Sequence, residues 1–106
     1  MNDDGALDDL LCLSDSIDEI RTIGLYFLFY RERLVYIGQS HCCQVRINQH
    51  LWQGEMKFDR YTIARRKENR SQRMKLERYL IDMYDPIYNR KPEGQRHELI
   101  DALELY

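Results

Sequence analysis

Two short apolar stretches separated by a three-residue break constrain this chain more than any other feature. Gly24–Tyr30 reads GLYFLFY, Leu34–Ile37 reads LVYI, and Arg31-Glu32-Arg33 stands between them. Runs this short and this rich in aromatic and β-branched residues read as strands, and the brief polar break makes them a hairpin. The break holds no Asn-Gly or Asp-Gly, so a two-residue type I′ turn is not signalled. A three-residue loop centred on Glu32 pairs Tyr30 with Leu34, Leu28 with Tyr36 and Tyr26 with Gly38. Because strand side chains alternate faces, Tyr26, Tyr36 and Gly38 then share one face. The two tyrosines become diagonal neighbours, roughly 7–8 Å apart at the backbone. Gly38 leaves a gap there for backbone or a ligand. A two-residue loop would send the tyrosines to opposite faces.

The rest of the chain supplies elements to pack on this hairpin. Ser40 is a suitable N-cap for a helix running to about Leu51, with Cys43, Ile47 and Leu51 as its apolar stripe. Arg46 and His50, at i and i+4, project together from a neighbouring face. Lys57–Ala64 alternates as a third strand. Asn69 or Ser71 opens the main helix, whose core face reads Leu76, Tyr79, Leu80, Met83, with Glu77 beside it. Pro86 ends that helix, and YDPIYNRKP is an extended turn carrying Asn89. Gly94–Leu105 reads as a last amphipathic helix. No internal repeat, low-complexity tract or linker interrupts the 106 residues, which suit one domain.

A hydrophobic content of 43% against 32% charged residues predicts a soluble globule. No apolar run approaches the roughly 20 residues of a membrane helix. The first ten residues are acidic, unlike a secretory leader. Cys12, Cys42 and Cys43 are odd in number and two are adjacent, which fits neither a disulfide framework nor a zinc spacing. Three free, mostly packed thiols and a reducing, cytoplasmic setting are expected, at the nucleoid or, in a eukaryote, in the nucleus.

The net charge of −2 conceals an asymmetry. Residues 1–20 carry Asp3, Asp4, Asp8, Asp9, Asp15, Asp18 and Glu19 without a Lys or Arg. From Arg60 to Arg78 the bases Arg60, Arg65, Arg66, Lys67, Arg70, Arg73, Lys75 and Arg78 face only Glu68 and Glu77. The total therefore does not exclude a nucleic-acid partner, because the field depends on where charge sits. The plain alternative is a solvated helix face. The acidic lead-in, residues 1–22 with Leu7, Leu10 and Leu11 as a short helix, could repel DNA or shield the basic surface.

The triplets GLY (Gly24–Tyr26) and YIG (Tyr36–Gly38), Arg46 eight residues after Gly38, His50 four further on, Glu77 on the later helix and Asn89 twelve beyond it form an ordered set. That set resembles the GIY-YIG nucleases over residues 23–92, with Leu25 in place of the first motif's Ile. The resemblance implies an α/β (α+β) fold: a small three-stranded antiparallel sheet flanked by helices, with residues 93–106 as a C-terminal helix on the core. It implies a DNA endonuclease with Mg²⁺ or Mn²⁺, one ion per site, and a use in DNA repair or recombination. RNA stays open as a substrate.

On that resemblance the catalytic residues are Tyr26, Tyr36, Arg46, His50, Glu77 and Asn89, with Glu77 as metal ligand. One carboxylate suffices for Mg²⁺ when water and phosphate oxygens complete the shell. Its plain alternative is an i, i+4 ion pair with Arg73. One tyrosine would accept the water's proton and the other bind the phosphate, with Tyr26 favoured as base. A phenol of pKa about 10 needs a nearby cation for that work. Arg46 offers a planar fork for phosphate oxygens. His50 would bond a tyrosine hydroxyl or the phosphate, and Asn89 would fix its turn or contact the site. Gly38, Gln39, Arg65, Arg66, Lys67, Arg70, Arg73 and Lys91 are the expected nucleic-acid contacts. The alternative function is a nucleic-acid- or protein-binding module that uses the same fold without cleavage. No appended DNA-reading domain fits in this length, so the protein is expected to be structure-selective, weakly specific, or dependent on a homodimer or a partner protein for its target.

Overall fold

The structure, a computed structural model, describes residues 22–100. The expected helix within residues 1–22 lies outside them, except for Thr22. Strands β1 (Gly24–Tyr30), β2 (Arg33–Ser40) and β3 (Arg60–Arg65) form one antiparallel sheet in the order β2-β1-β3. Helix α1 (Cys43–Gln53) and helix α2 (Arg70–Tyr84) flank it. This is the α+β arrangement that the sequence predicts, with β3 starting three residues later than expected.

The hairpin reaches the expected register by another route. Arg31 and Glu32 alone form the turn, with φ of 51° and 67°. Two successive positive φ values mark a type I′ turn, adopted here without glycine or asparagine. Tyr30 pairs with Arg33 and Phe29 with Leu34, not Tyr30 with Leu34. A β-bulge between Leu28 and Phe29 then inserts one extra β2 residue, Val35, and restores Leu28 opposite Tyr36 and Tyr26 opposite Gly38. A two-residue loop therefore does not separate the tyrosines.

Alternation places Tyr26, Leu28 and Tyr36 on one face, where Cys43 and Ile47 of α1 join them in the core. Tyr88 is fully buried in the same cluster, and its hydroxyl accepts from the Lys57 N–H at 2.9 Å. Helix α1 starts at Cys43, later than a Ser40 cap would allow. Ser40 ends β2, and its Oγ accepts from Cys42 N at 2.8 Å. Thr22 caps α1 from across the fold: its carbonyl accepts from Cys43 N at 3.0 Å and its Oγ1 from Gln44 N at 2.8 Å. Leu51 is 59% exposed, so the α1 stripe is Cys43 and Ile47 only. Cys43 is a free, buried thiol, but Cys42 is disulfide-bonded, against the expectation of three free thiols. Cys42 sits before the first helical residue, with non-helical φ −137° and ψ 79°, whereas Cys43 is on the helix. Its partner lies outside the described residues.

Helix α2 packs along β2 and β1 and is capped by Asn69, whose Oδ1 accepts from Gln72 N at 2.9 Å. Its inward face is rotated from the predicted one. Tyr79 and Met83 are more than half exposed, whereas Arg73 is 2% exposed and Glu77 is partly buried. The expected extended turn after Pro86 is a 3₁₀ helix, Ile87–Arg90. The expected helix from Gly94 begins instead with a 3₁₀ turn at Arg96–Glu98, followed by helical Leu99 and Ile100, which pack on the core.

Candidate active site

Gly38 is where the hairpin becomes a site. A Cβ there would lie 2.5 Å from the Tyr26 hydroxyl oxygen. The gap that the sequence offered to a ligand is filled by the Tyr26 phenol itself, so Gly38 positions a side chain rather than contacting substrate. Gly24 likewise admits close backbone, since its Cβ would come within 3.0 Å of Arg65 Cα.

Tyr26, Tyr36 and His50 form a compact triangle. Ring centroids are 6.0 Å apart for the two tyrosines, 5.7 Å for Tyr26 and His50, and 5.2 Å for Tyr36 and His50. His50 Nε2 lies 2.8 Å from the Tyr26 hydroxyl. His50 is 1% exposed. Burial, the charge of Arg46 and then that of Arg96 hold its pKa down to about 3. The imidazole is therefore neutral throughout the physiological range. Burial pushes the Tyr36 phenol above its ordinary value, opposed first by Arg96.

A cavity of about 440 Å³ opens against this triangle. Tyr26, Tyr36, Arg46 and Glu77 all line it. So do Gln39, His41, Arg70, Arg78, Arg90, Lys91 and Arg96. Tyr36 and Gln39 point to opposite faces of β2 by alternation, yet both reach the cavity, so it wraps the outer edge of this edge strand. Asn89 closes that edge. Its Oδ1 accepts from Ile37 N at 2.9 Å and its Nδ2 donates to Ile37 O at 3.0 Å. Its carboxamide thus stands in for a missing strand partner at Ile37, and the residue also lines the cavity.

Arg46 is 4% exposed; its Nη1 donates to Gln49 Oε1 at 2.8 Å and its Nη2 to Glu93 Oε1 at 3.1 Å. Glu77 is not paired with Arg73. Arg73 turns inward, its Nε donating to Gln39 Oε1 at 3.3 Å and its Nη1 to Glu68 O at 2.7 Å. It is buried structure and no phosphate contact, contrary to the sequence expectation. The Glu77 carboxyl is pushed up to about 7 by burial, opposed by Arg78, Arg70 and the Gln39 backbone N–H. A carboxylate set in a cavity at that cost suits a divalent cation, which would hold it ionised. Among the described residues no three or more His, Cys, Asp or Glu group together, and Glu77 is the one carboxylate among the residues that line the cavity. That fits a hard ion that retains water.

Of the remaining expected contacts, Arg65 and Lys67 are exposed, and Arg66 is exposed but forms an ion pair with Glu68. Arg70 and Lys91 line the cavity, Lys91 with Glu98 at 3.8 Å. Sequence reasoning missed Thr22, Arg96 and Glu93. Arg96 stood in a stretch that read as a last amphipathic helix on the core, and nothing local marks it.

The fold is similar to solved structures of the GIY-YIG N-terminal endonuclease domain of UvrC from Thermotoga maritima. Two point-mutant forms, each bound to its catalytic divalent cation, superpose with TM-scores of 0.53 at 21% identity, covering 64% of this chain and 82% of theirs. The chain therefore has a GIY-YIG-like fold. No family model and no curated protein matches it.

Proposed function

We propose that this protein is a divalent-metal-dependent endonuclease that hydrolyses phosphodiester bonds of DNA in the cavity at the β2 edge. The observation that carries the reading is the convergence of Tyr26, Tyr36, Arg46 and Glu77 on that one cavity. A lone phenol, guanidinium or carboxylate has many structural uses. Together they are what attack on a phosphodiester needs.

Glu77 would hold the ion, Mg²⁺ or Mn²⁺, which would supply charge neutralisation at the phosphate and the leaving oxygen. The two tyrosines divide by environment. Tyr36, whose phenol is held above its ordinary pKa, stays protonated and donates a hydrogen bond to a phosphate oxygen. Tyr26 bonds His50 Nε2 and is the base. With the imidazole proton on Nδ1, Nε2 accepts the Tyr26 proton as the Tyr26 oxygen takes that of the attacking water. Burial first, and then the charges of Arg46 and Arg96, depress His50. A bound phosphate would offset the Arg46 and Arg96 part of that depression but not the part due to burial. Arg46 stabilises charge on the transition state once phosphate competes with Glu93 for its fork.

One such site cuts one strand, so a double-strand break takes two protomers or two encounters. The exposed bases Arg65 and Lys67, with Arg70 and Lys91 at the cavity, bind backbone phosphate without reading sequence, and affinity falls steeply with salt. The test is incubation with Mg²⁺ and nicked, branched, single-stranded and duplex DNA, beside Glu77→Ala. Cleavage of at least one form by the wild type and none by the variant supports the reading. An intact set of substrates, or equal cutting by both proteins, ends it.

A further inference from the structure

Arg96 is 9% exposed, yet it carries a full charge into the cavity that holds the phenols. Its Nε donates to Tyr88 O and to Lys91 O, both at 3.0 Å. Those two carbonyls fix the guanidinium, and its Cζ lies 4.8 Å from the centroid of the Tyr36 ring. Arg46, the other buried cation of this cavity, has the carboxylate of Glu93 beside it. Among the described residues no carboxylate stands within ion-pair distance of the Arg96 guanidinium. A cation nearly removed from water without a counter-ion is costly. Two carbonyl dipoles and an aromatic face soften that cost without supplying a negative charge.

We propose that Arg96 is a second phosphate-binding guanidinium of this site, contacting the phosphate beside Tyr36 while Arg46 holds it from α1. The inference rests on the cavity being a phosphate site. It adds a residue from the 3₁₀ turn near the C-terminus, outside the residues 23–92 that carry the sequence motifs. Two forks of fixed orientation would hold a tetrahedral anion from two sides, which one fork and a lysine would not do. The Nε bonds leave the Nη groups to meet the anion. The positive charge that weighs on both Tyr36 and His50 is consistent with this position.

The experiment uses the full chain and inorganic phosphate as probe. Arginine side-chain ¹H–¹⁵N signals are followed during titration, with Arg46→Lys and Arg96→Lys for assignment and thermal melting to check each fold. Arg96 and Arg46 signals should shift together along one binding curve. Arg96→Gln should weaken phosphate binding about tenfold, and Arg96→Lys less, because it keeps the charge but loses the fork. A purely structural Arg96 would leave its signal unmoved and phosphate affinity unchanged in folded Arg96→Gln or Arg96→Lys, and either result overturns the inference. DNA cleavage is measured separately. A wild type that cuts DNA while Arg96 stays silent to phosphate refutes this inference alone. A wild type that binds phosphate through Arg96 but never cuts refutes the nuclease reading alone.

Discussion

The two walls of the cavity are built by different means. On the sheet side, Tyr26, Tyr36 and Gly38 are fixed by backbone pairing and dense packing, with Tyr26 1% and Tyr36 8% exposed. On the helix side, α2 has Arg73 as its one buried residue and leaves Tyr79 and Met83 largely in water. Its hold near the site is polar, through Arg73 to Gln39 and to the Glu68 carbonyl. The phenols therefore have fixed positions, while the carboxylate sits on an element that packing holds less tightly. That division suits the proposed chemistry. Proton transfer needs atoms held to fractions of an ångström, whereas a metal ligand can adjust around its ion.

Breaking the sheet wall should cost most. Gly38→Ala forces the Tyr26 ring away, and we expect cleavage to fall about 100-fold or more. Stability should drop by about 1–3 kcal/mol, read by denaturant melts. Breaking the helix wall should cost stability comparably but activity less. Arg73→Met strands the Glu68 carbonyl and the Gln39 amide and should destabilise by about 1–3 kcal/mol. Its cleavage defect should shrink at high metal concentration, because the ion can draw Glu77 back.

The walls also differ in pH dependence. Glu77 has its pKa raised to about 7, so its contribution is fully present below the unfolded value and is lost as pH rises through about 7. His50 has its pKa lowered to about 3, so its contribution is present above the unfolded value and is lost as pH falls towards 3. Between about pH 4.5 and 6.5 the two slopes oppose each other. Metal-free Glu77→Gln should therefore match the wild type near pH 4 and exceed it by about 1–3 kcal/mol at pH 8. Added divalent ion should stabilise only the wild type.

The smallest effect lies outside both walls. Arg31→Asn with Glu32→Gly would give the turn residues suited to positive φ and should stabilise by about 1–2 kcal/mol. Because the bulge at Val35 sets the register of the tyrosines, cleavage should not change. A loss of cleavage would mean that the turn, not the bulge, controls the sheet wall.

The sheet wall was largely legible in the sequence, and the helix wall was not. Period-two alternation put Tyr26, Tyr36 and Gly38 on one face, and helical spacing joined Arg46 to His50. The turn that delivers this register was misread, because Arg31 and Glu32 adopt a conformation their side chains disfavour and a bulge compensates one strand away. The inward turn of Arg73, the rotation of α2 and the Thr22 cap depend on partners far along the chain, which local periodicity does not encode. Arg96 looked like one more charge in an amphipathic stretch, since only the folded chain brings Tyr88, Lys91 and Tyr36 around it.

The central claim is that both walls close on one ion and one phosphate, and Mn²⁺ relaxation measures this most directly. In protein with ¹³C-labelled tyrosine rings, stoichiometric Mn²⁺ should broaden the signals of Tyr26 and Tyr36 before those of exposed Tyr61 and Tyr79, and Glu77→Gln should abolish the effect. Broadening that ignores the substitution, or that appears first at the exposed rings, would contradict the account.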